Sequence, residues 1–375
     1  MSFFAMLTTL LASLHIFIFW RMSAAFGRGL WQLPVLALLI AMLVLVVYGR
    51  SIPPATLRQS IFWLMYIWMG IAIITALSFL FIDVLKTGLW LTDKLAGTNA
   101  LTVFTPTRRG CAGLALSLCL CIFAYWQAMN VQPVHLTVST KKIDSEKNIR
   151  IAAISDLHLG RFIGEKKLEK VAAIVRETKP DILVFLGDIV DTDMSQRMDE
   201  ALIIKGMIPH GGGFAVLGNH EAYRGLAQAM AFKEHGGLKI LRNAATESLG
   251  ITIVGVDDPV LKNAPDLLQE VALLQGLDHS RFILFLRHRP GYQQQLSGLY
   301  DLQLAGHTHG GQIWPGSIIA AWANKVKQGL THKNGDAGES LLYVMNGTGF
   351  WGPPMRIGSP PEVLIVDLVG MGEAL

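Results

Sequence analysis

The first third of the chain is built from long apolar runs. Four runs without a charged residue lie at about 3–20, 31–49, 59–82 and 110–129. Runs of about 17–25 apolar residues are long enough to cross the hydrocarbon core of a bilayer as helices. No basic residue precedes the first run, which favours a spanning helix over a cleaved signal peptide. We therefore predict a transmembrane region of four helices within residues 1–130.

A different pattern begins at about residue 148. Short β-branched runs alternate with helix-length amphipathic segments such as residues 165–178. The runs that we predict as strands lie at 148–155, 181–187, 213–218, 250–256, 281–286, 301–306, 341–346 and 361–368. This alternation is typical of sheets covered by helices. It predicts one α/β domain over residues 148–370, joined to the membrane region by a tether at residues 131–147.

The charge of the chain separates into the same two parts. Residues 1–130 carry eight basic and two acidic side chains, whereas the remainder carries 24 basic and 26 acidic ones. The basic balance therefore belongs to the membrane region, where arginines and lysines flank helices. It does not indicate a nucleic-acid partner, and no pattern in the sequence points to a protein partner.

The positive charges also bear on topology. Basic residues lie in loops 21–30 and 83–109, which the positive-inside rule places in the cytoplasm. Both termini, and with them the α/β domain, would then face the exterior of the inner membrane. Arg50, Arg58 and the basic residues of 141–150 lie on the opposite side and oppose this assignment. The side on which the domain lies therefore stays open.

Polar residues directly follow five of the predicted strands. They occur in the segments SDLHLG (155–160), GDIVD (187–191), GNHE (218–221), RHRP (287–290) and GHTHGG (306–311). In α/β sheets, ligand sites collect at the carboxyl ends of strands. We therefore expect these five segments to meet at one edge.

The candidate ligands in these segments offer oxygen and nitrogen donors. They are Asp156, His158, Asp188, Asn219, His220, His288, His307 and His309. Carboxylates combined with imidazoles suit Mn, Fe or Zn better than Ca, which prefers oxygen donors. The three cysteines lie in the fourth apolar run, so we expect no thiolate ligand and no disulfide in the α/β domain.

The ordered motifs resemble those of the calcineurin-like metallophosphoesterase superfamily. They are DLH at 156–158, GDIVD at 187–191, GNHE at 218–221, His288 and GHTH at 306–309. The four-helix anchor and residues 346–362 resemble the membrane-anchored branch that is similar to bacterial YkuE-type and YaeI-type phosphohydrolases. The resemblance implies a four-layer αββα sandwich and hydrolysis of a phosphoester.

The resemblance also implies a centre of two divalent metal ions. The ligands of the first ion would be Asp156, His158, Asp188 and His309. The ligands of the second would be Asn219, His288, His307 and again Asp188, which bridges the ions. A hydroxide held between them would attack the phosphorus atom.

Three further residues have implied roles around this centre. His220 would act on the substrate, as a general acid or as a charge stabiliser. Asp191 and Glu221 would orient His220 and the neighbouring ligands.

The motifs define the reaction but not the substrate. An enzyme held in a membrane suggests a lipid-linked or nucleotide–lipid phosphodiester or pyrophosphate, for which the family precedent is UDP-2,3-diacylglucosamine. That hydrolysis needs a cytoplasmic site. An exterior domain would instead favour cell-envelope phosphates or phospholipids, and this alternative stays open.

Two features beside the motifs could contact such a substrate. Arg287, Arg289 and Arg356 are candidates for contacts with an anionic group, although solvated arginines fit the same pattern. Residues 313–330 contain Trp314, Trp322 and several aliphatic residues among few charges. This segment is either an apolar lid beside the metals or a packed core helix.

Two other classes of protein fit the sequence less well. A transporter usually carries ionisable residues within its spans, and the four apolar runs contain no Asp, Glu, Lys or Arg. A degenerate scaffold without activity would have lost metal ligands, and every motif position holds the expected residue type.

Overall fold

The structure is a computed structural model that describes residues 3–48, 55–160, 162–192, 194 and 197–371. Arg50, which bears on the predicted topology, lies outside these residues. The chain divides into two compact units. The first holds the chain up to Trp126 together with Gly352–Met355, and the second holds Gln127–Trp351 and the chain from Arg356 onward.

The first unit consists of helices. Their bounds are α1 Phe3–Phe26, α2 Gln32–Tyr48, α3 Ala55–Ala96, α4 Ala100–Val103 and α5 Pro106–Met129. Three described helices are long and apolar enough to cross a membrane, over Thr8–Phe26, Ser60–Ala96 and Pro106–Met129. The apolar part of α2 is shorter, at Gln32–Leu45. The membrane character of this unit therefore rests on α1, α3 and α5.

The helix α3 is much longer than the apolar run that predicts it. The run ends at residue 82, whereas the helix continues to Ala96 and stops before Gly97, whose φ is +66°. Residues 83–96 contain four charged side chains but no proline, and their leucines, lysines and alanine favour helix, so the helix continues past the apolar run. A glycine with positive φ is a common end for such a helix.

Polar pairs and close packing join the helices of the first unit. The Trp68 indole donates to His15 Nε2 at 2.8 Å, and the hydroxyls of Thr75 and Ser117 lie 2.7 Å apart. Arg21 forms an ion pair with Asp83. Polar groups within a bilayer need partners inside the protein, and these pairs supply them.

The second unit contains two six-stranded sheets. The order in the first sheet is β1-β12-β2-β3-β4-β5, with bounds Gln132–Thr140, Glu362–Gly370, Asn148–Ile154, Ile182–Phe185, Gly213–Ala215 and Lys239–Ile240. The order in the second is β10-β11-β9-β8-β7-β6, with bounds Gly329–Gly335, Gly338–Val344, Leu302–Ala305, Ile283–Leu286, Ile251–Gly255 and Ala244–Ser248. Strands β2 to β5 are mutually parallel, as are β7, β8, β9 and β11. This is the α/β architecture that the sequence predicts.

Helices lie between these strands along the chain. Their bounds are α6 Glu165–Thr178, α7 Met198–Lys205, α8 Asn219–Arg224, α9 Leu226–His235, α10 Leu267–Gln275 and α11 Gly316–Asn324. A short 3₁₀ turn covers His309–Gly311.

Buried side chains of the second unit form several clusters around the sheets. One cluster joins the two sheets and includes Ile151 and Leu284. A second packs Phe185 of β3 against Leu168 of α6, and a third includes Phe285 of β8 with residues of α10. The central strands are therefore buried on both faces, which explains why their sequences are continuous apolar runs.

Residues 131–147 are not the tether that the sequence predicts. Residues 132–140 form β1, which pairs in parallel with β12 from Gln132 to Thr140. Val134 and Leu136 are half-buried, Val138 is buried, and the residues between them are exposed. This alternation with a period of two is the pattern of an edge strand with one face on the core. The α/β domain therefore begins at β1 rather than at residue 148.

Candidate active site

The five polar segments meet at the carboxyl ends of their strands. The segments after β2, β3 and β4 come from the first sheet, and those after β8 and β9 come from the second. Their side chains form three groups, two of which share His158, and within each group the potential ligand atoms lie within 4.8 Å of one another. The first group is Asp156, His158 and His309, the second is Asp188, His288 and His307, and the third is His158, Asp191 and His220.

In the first group, two imidazoles face each other beside a carboxylate. His158 Nε2 and His309 Nε2 lie 3.0 Å apart, and His309 Nε2 lies 3.5 Å from Asp156 Oδ1. Two nitrogens bound to one ion at about 2.1 Å, at roughly a right angle, are about 3 Å apart. The spacing therefore suits two ligands of one ion.

The second group has the same character. His288 Nε2 lies 3.2 Å from both Asp188 Oδ2 and His307 Nδ1. His288 Nδ1 donates to the carbonyl of Leu186 at 2.8 Å, so the lone pair of Nε2 points at the group. Asn219 Oδ1 is buried and has no hydrogen-bond partner among the described residues. An unsatisfied buried oxygen is costly unless another group, such as a cation, contacts it.

Asp188, a member of the second group, also lies close to the first. Its Oδ2 is 3.2 Å from His288 Nε2 and 3.9 Å from His158 Nε2. Its Oδ1 accepts a hydrogen bond from the backbone N–H of His220 at 2.8 Å. This is the position that a carboxylate shared by two ions requires.

The loops that carry these side chains adopt an uncommon backbone conformation. Five of the predicted ligands have φ between +50° and +70°, namely Asp156, His158, Asp188, His307 and His309. The left-handed region costs a non-glycine residue roughly 1–3 kcal/mol when the surroundings enforce it. Such conformations cluster at functional sites, and here they lie at the ends of the site-forming strands.

Glycines permit the close approach of these loops. A Cβ atom on Gly306 would lie 2.3 Å from Asp156 Oδ2, and one on Gly218 would lie 2.2 Å from Asp188 Oδ1. Both distances are far below van der Waals contact. The GHTH and GNHE motifs therefore need glycine because the carboxylates of other loops occupy the space of a side chain.

Burial keeps three of the imidazoles neutral. It lowers the pKa of His158, it lowers that of His309 well below its ordinary value, and together with the charges of His288 and Arg289 it lowers that of His307 to about 3. A neutral imidazole is the form that binds metal ions.

The carboxylates have the opposite influence on His288. Burial lowers the pKa of His288, but the charge of Asp188 and its hydrogen bond outweigh burial and raise the pKa to about 10. The centre therefore attracts positive charge strongly.

His220 lies at the edge of the centre, and Asp191 orients its ring. Its Nδ1 lies 2.7 Å from Asp191 Oδ1, which also accepts a hydrogen bond from Arg224 at 3.2 Å. Burial lowers the pKa of His220, but the hydrogen bond to Asp191 and the charges of Asp188 and Asp191 outweigh it, and the pKa is raised. His220 Nε2, 4.0 Å from Asp188 Oδ2, is thus able to hold a proton at the mouth of the centre.

Two aromatic residues that the sequence did not indicate flank His220. The Trp351 ring lies 5.8 Å from the His220 ring, and the Tyr223 ring lies 5.9 Å from it. Tyr223 is 61% exposed and Trp351 is 37% exposed. They form walls beside the imidazole that a substrate can contact. The one feature that could have pointed to Tyr223 is that it lies two residues after the GNHE motif.

Glu221 positions two loops at once. Its carboxylate accepts hydrogen bonds from the backbone N–H groups of Asp188 at 3.0 Å and Gly218 at 2.8 Å. Lys233 Nζ lies 2.9 Å from the same carboxylate, and both side chains are fully buried. Lys233 was missed in the sequence because it follows no strand and lies on the otherwise ordinary helix α9.

Arg356 does not lie where a substrate can reach it, contrary to the prediction. It is fully buried, and its guanidinium donates to the carbonyl oxygens of Gly349, His309 and Ser359. Its Nη2 also lies 3.2 Å from His309 Nδ1. The local chain wraps around the guanidinium, so Arg356 orients His309 instead of binding a substrate.

The two arginines beside His288 differ from each other. Arg287 pairs with Glu270 of α10 at 3.2 Å and is largely buried, which contradicts the predicted substrate contact. Arg289 donates to Asp258 at 2.8 Å and keeps 33% of its side chain exposed. Its charge contributes to the low pKa of His307, so it lies near the second group.

Comparison with known proteins agrees with this geometry. Residues 149–311 match the family model described as calcineurin-like phosphoesterase. An uncharacterized metallophosphoesterase of Aquifex aeolicus (strain VF5) is 36% identical over 240 residues, which cover 63% of this chain and 91% of that protein. The chain belongs to the calcineurin-like metallophosphoesterase family. It is therefore a metal-dependent phosphoesterase, as the motifs predict.

Two further relatives bear on the branch of the family. The uncharacterized metallophosphoesterase YkuE of Bacillus subtilis (strain 168) is 32% identical over 231 residues, 58% of this chain and 78% of that protein. A transmembrane protein with metallophosphoesterase domain from Danio rerio is 30% identical over 274 residues, 68% of this chain and 62% of that protein. The chain thus spans less than two thirds of the Danio rerio relative. This metallophosphoesterase, with its apolar helices, is a membrane protein.

The donor set of this metallophosphoesterase fits divalent ions. Imidazoles, two carboxylates and the unpartnered Asn219 oxygen converge without any thiolate. Such oxygen and nitrogen donors suit Mn, Fe or Zn. The buried carboxylates supply the negative charge that a cation would balance.

Proposed function

We propose that this metallophosphoesterase uses a centre of two divalent ions, Mn, Fe or Zn. The first would be held by Asp156, His158, Asp188 and His309. The second would be held by Asp188, Asn219, His288 and His307. The observation that supports this is the placement of Asp188 Oδ2 between the two His groups, 3.2 Å from one imidazole nitrogen and 3.9 Å from another.

The residues around this centre would donate a proton and hold the ligands in place. When bound, the ions supply Lewis-acid activation of water and neutralise charge on the phosphoryl group. His220 holds a proton at Nε2 and donates it to the leaving oxygen or to a phosphoryl oxygen. Asp191 fixes the ring orientation of His220 through Nδ1. Glu221, paired with Lys233, holds the backbone of Asp188 and that of Gly218 in fixed positions.

Arg289 is our candidate for a contact with the anionic substrate. Its Nε donates to Asp258, which orients the guanidinium and leaves other N–H donors available for a substrate. The exposed part of the side chain lies near the second group. A guanidinium matches phosphoryl oxygens in geometry and charge.

The substrate class that we propose is a lipid-linked or nucleotide–lipid phosphodiester or pyrophosphate, such as UDP-2,3-diacylglucosamine. The support for it is that the chain joins the catalytic unit to apolar helices that can cross a membrane. Trp351 and Tyr223 beside His220 also suit a substrate with an apolar or planar part.

A second substrate class is favoured by the basic loops of the first unit. With residues 21–30 and 83–109 in the cytoplasm, the catalytic unit would lie outside the cytoplasm, where cell-envelope phosphates or phospholipids are the available substrates. We propose a multi-pass protein of the bacterial inner membrane with a four-helix anchor and an αββα catalytic domain. The parity of the crossings, and hence the side, depends on whether the shorter helix α2 spans the bilayer.

Hydrolysis assays test this proposal and separate its parts. The purified full chain, loaded with Mn, is assayed on bis-p-nitrophenyl phosphate and on UDP-2,3-diacylglucosamine, before and after EDTA. We expect metal-dependent turnover of both, and a loss of about 10²–10⁴-fold in His220→Ala. Turnover of the soluble diester alone would reject the nucleotide–lipid class and favour envelope phosphates. Turnover of neither substrate by a metal-loaded chain would reject the proposed reaction.

A further inference from the structure

The helix α11 presents an unusually apolar surface to solvent. Trp314, Ile318, Ile319 and Trp322 form this surface, with 56%, 61%, 65% and 82% of their areas exposed. No residue of α11 itself, Gly316–Asn324, is buried. We call these four residues the α11 apolar surface. The packed core helix that the sequence allowed is therefore not what forms here.

An exposed surface of this kind needs a partner. Single exposed apolar residues are ordinary, but a continuous group of large ones marks a binding surface. Ile318, Ile319 and Trp322 follow the i, i+1, i+4 spacing, so they share one side of the helix. The fold beneath does not use this side, since the buried apolar residues near the helix are Ile313, which precedes it, and Val326, which follows it.

The α11 apolar surface is attached firmly to the loop that carries His309. The turn His309–Gly311 leads directly into α11, and the backbones of Gly311 and Gly316 touch. Trp314 N donates to the carbonyl of Ile357 at 2.9 Å, which fixes the start of the segment to the chain beside Arg356. The surface therefore has a fixed position relative to the candidate centre.

The chemistry around α11 suits an anionic bilayer. Lys325 and Lys327 directly follow the helix and are exposed, and residues 313–335 contain no acidic side chain. Tryptophan beside aliphatic residues, with lysines at the border, is the composition of helices that lie in the membrane interface. Lysines near an anionic surface add to the attraction.

Chain continuity brings a bilayer within reach. The helix α5, which is long and apolar enough to cross a membrane, ends at Met129, and β1 begins at Gln132. A few residues can extend over only about 3.3–3.6 Å each. The catalytic unit is therefore held near the surface of any bilayer that α5 crosses.

We propose that α11 inserts its apolar surface into the interface of an anionic bilayer, beside the candidate centre. A phosphoester headgroup in that bilayer is then presented to the loop that carries His309 while its acyl chains stay in the lipid. The proposed insertion does not depend on the proposed function. The presentation of a substrate also rests on the function proposed above.

Depth-dependent quenching tests the insertion directly. The full chain, with its three cysteines replaced by serine, receives a fluorophore at Ala323→Cys in nanodiscs of phosphatidylcholine and phosphatidylglycerol. Ala323 is exposed and adjoins Trp322, so the label leaves the apolar surface intact. A matched label is placed at Leu268→Cys on α10, which is 79% exposed. We expect lipids with a doxyl group near the headgroup to quench the Ala323 label and to leave the Leu268 label bright.

The outcomes distinguish this inference from the proposed function. Equal fluorescence at the two positions in doxyl-containing nanodiscs would overturn the insertion. Energy transfer between the Ala323 labels of two copies would also overturn it, because it would show that a second copy of the chain covers the surface. The double variant Ile319→Ser/Trp322→Ser should lose the quenching and retain turnover of bis-p-nitrophenyl phosphate. Quenching needs no turnover, so an inactive chain that is still quenched would reject the function but not the insertion.

Discussion

At the scale of single residues, buried charges hold the candidate centre in place. Lys233 and Glu221 are paired without any solvent contact, and Arg356 is enclosed by carbonyl oxygens behind His309. A buried charge that loses its partner is strongly destabilising, whereas a well-paired one is nearly neutral. These residues therefore matter for the shape of the centre although they touch no substrate.

We expect Lys233→Met to lower the free energy of unfolding by about 3–5 kcal/mol, because it leaves the Glu221 carboxylate buried without its partner. Chemical unfolding of the second unit, followed in the full chain by near-UV circular dichroism, measures this. The double variant Lys233→Met/Glu221→Gln should recover part of the loss, since it removes the unpaired charge. Equal losses in the single and double variants would contradict the role assigned to the pair.

Glu362 predicts a dependence of stability on pH. Burial raises its pKa to about 7, against the opposing effects of the Asn346 N–H and the charge of Arg356. Its ordinary value is 4.5. A carboxyl group with a raised pKa in the folded state stabilises the fold at low pH, and this contribution is lost as pH rises from about 4.5 through about 7.

We therefore expect Glu362→Gln to gain stability relative to the unmodified chain as pH rises through this window, by about 3 kcal/mol in total. Unfolding free energies measured at several values between pH 4.5 and pH 8 give the difference. The exposed Glu146→Gln serves as the matched control and should show no such trend. Parallel curves for Glu362→Gln and the unmodified chain would disprove the raised pKa.

Arg289 predicts an effect on catalysis, which is measured per folded chain because Arg289→Ala also leaves the buried Asp258 without its ion-pair partner. Removal of a charged hydrogen bond to a phosphoryl oxygen costs about 1.5–3 kcal/mol, which corresponds to roughly 10–100-fold in kcat/KM. We expect Arg289→Ala to show this loss on bis-p-nitrophenyl phosphate with metal content unchanged. Arg176→Ala, on an exposed ion pair of α6, is the control. Unchanged kinetics in Arg289→Ala would remove Arg289 from the site.

At the scale of elements, the sequence predicts strands better than it predicts the edges of the sheets. The runs at 181–187 and 281–286 became β3 and β8 because strands buried on both faces are continuously apolar. Edge strands carry polar residues on their outer face, so β1 and β10 were not identified as strands. The alternation of Val134, Leu136 and Val138 is visible in the sequence, but a short polar segment between a membrane helix and a domain fits a tether equally well.

The strand β1 gives a prediction at this scale. Val138 is buried in the cluster between the sheets, whereas its neighbour Thr137 is exposed. We expect Val138→Asp to destabilise the second unit by roughly 3 kcal/mol or more, because it buries a charge without a partner, and Thr137→Asp to change stability by less than about 0.5 kcal/mol. Unfolding of the second unit measures both. Equal tolerance of the two variants would mean that residues 132–140 are a solvated linker after all.

Some residues of the candidate centre can be identified from the sequence, and others cannot. Residues such as Asp188 and His309 were identifiable because they follow strands within glycine-rich turns. Lys233 and Arg356 act through buried contacts made by distant parts of the chain, and no local pattern marks them. The same cause explains why Arg356 was mistaken for a substrate contact, since only its burial shows which groups its donors reach.

At the scale of the whole molecule, a membrane region and a metallophosphoesterase unit share one chain. Both sheets contribute loops to the candidate centre, so its integrity depends on the packing of the entire second unit. The left-handed backbone at five predicted ligands is tolerated only because that packing enforces it.

The central claim is that the five loops hold two metal ions that share Asp188. The most direct measurement is the metal content of the purified full chain, stripped with EDTA, reloaded with Mn and freed of excess metal. We predict two Mn ions per chain, and a loss of both in Asp188→Ala. One ion or none in the unmodified, folded chain would contradict the claim.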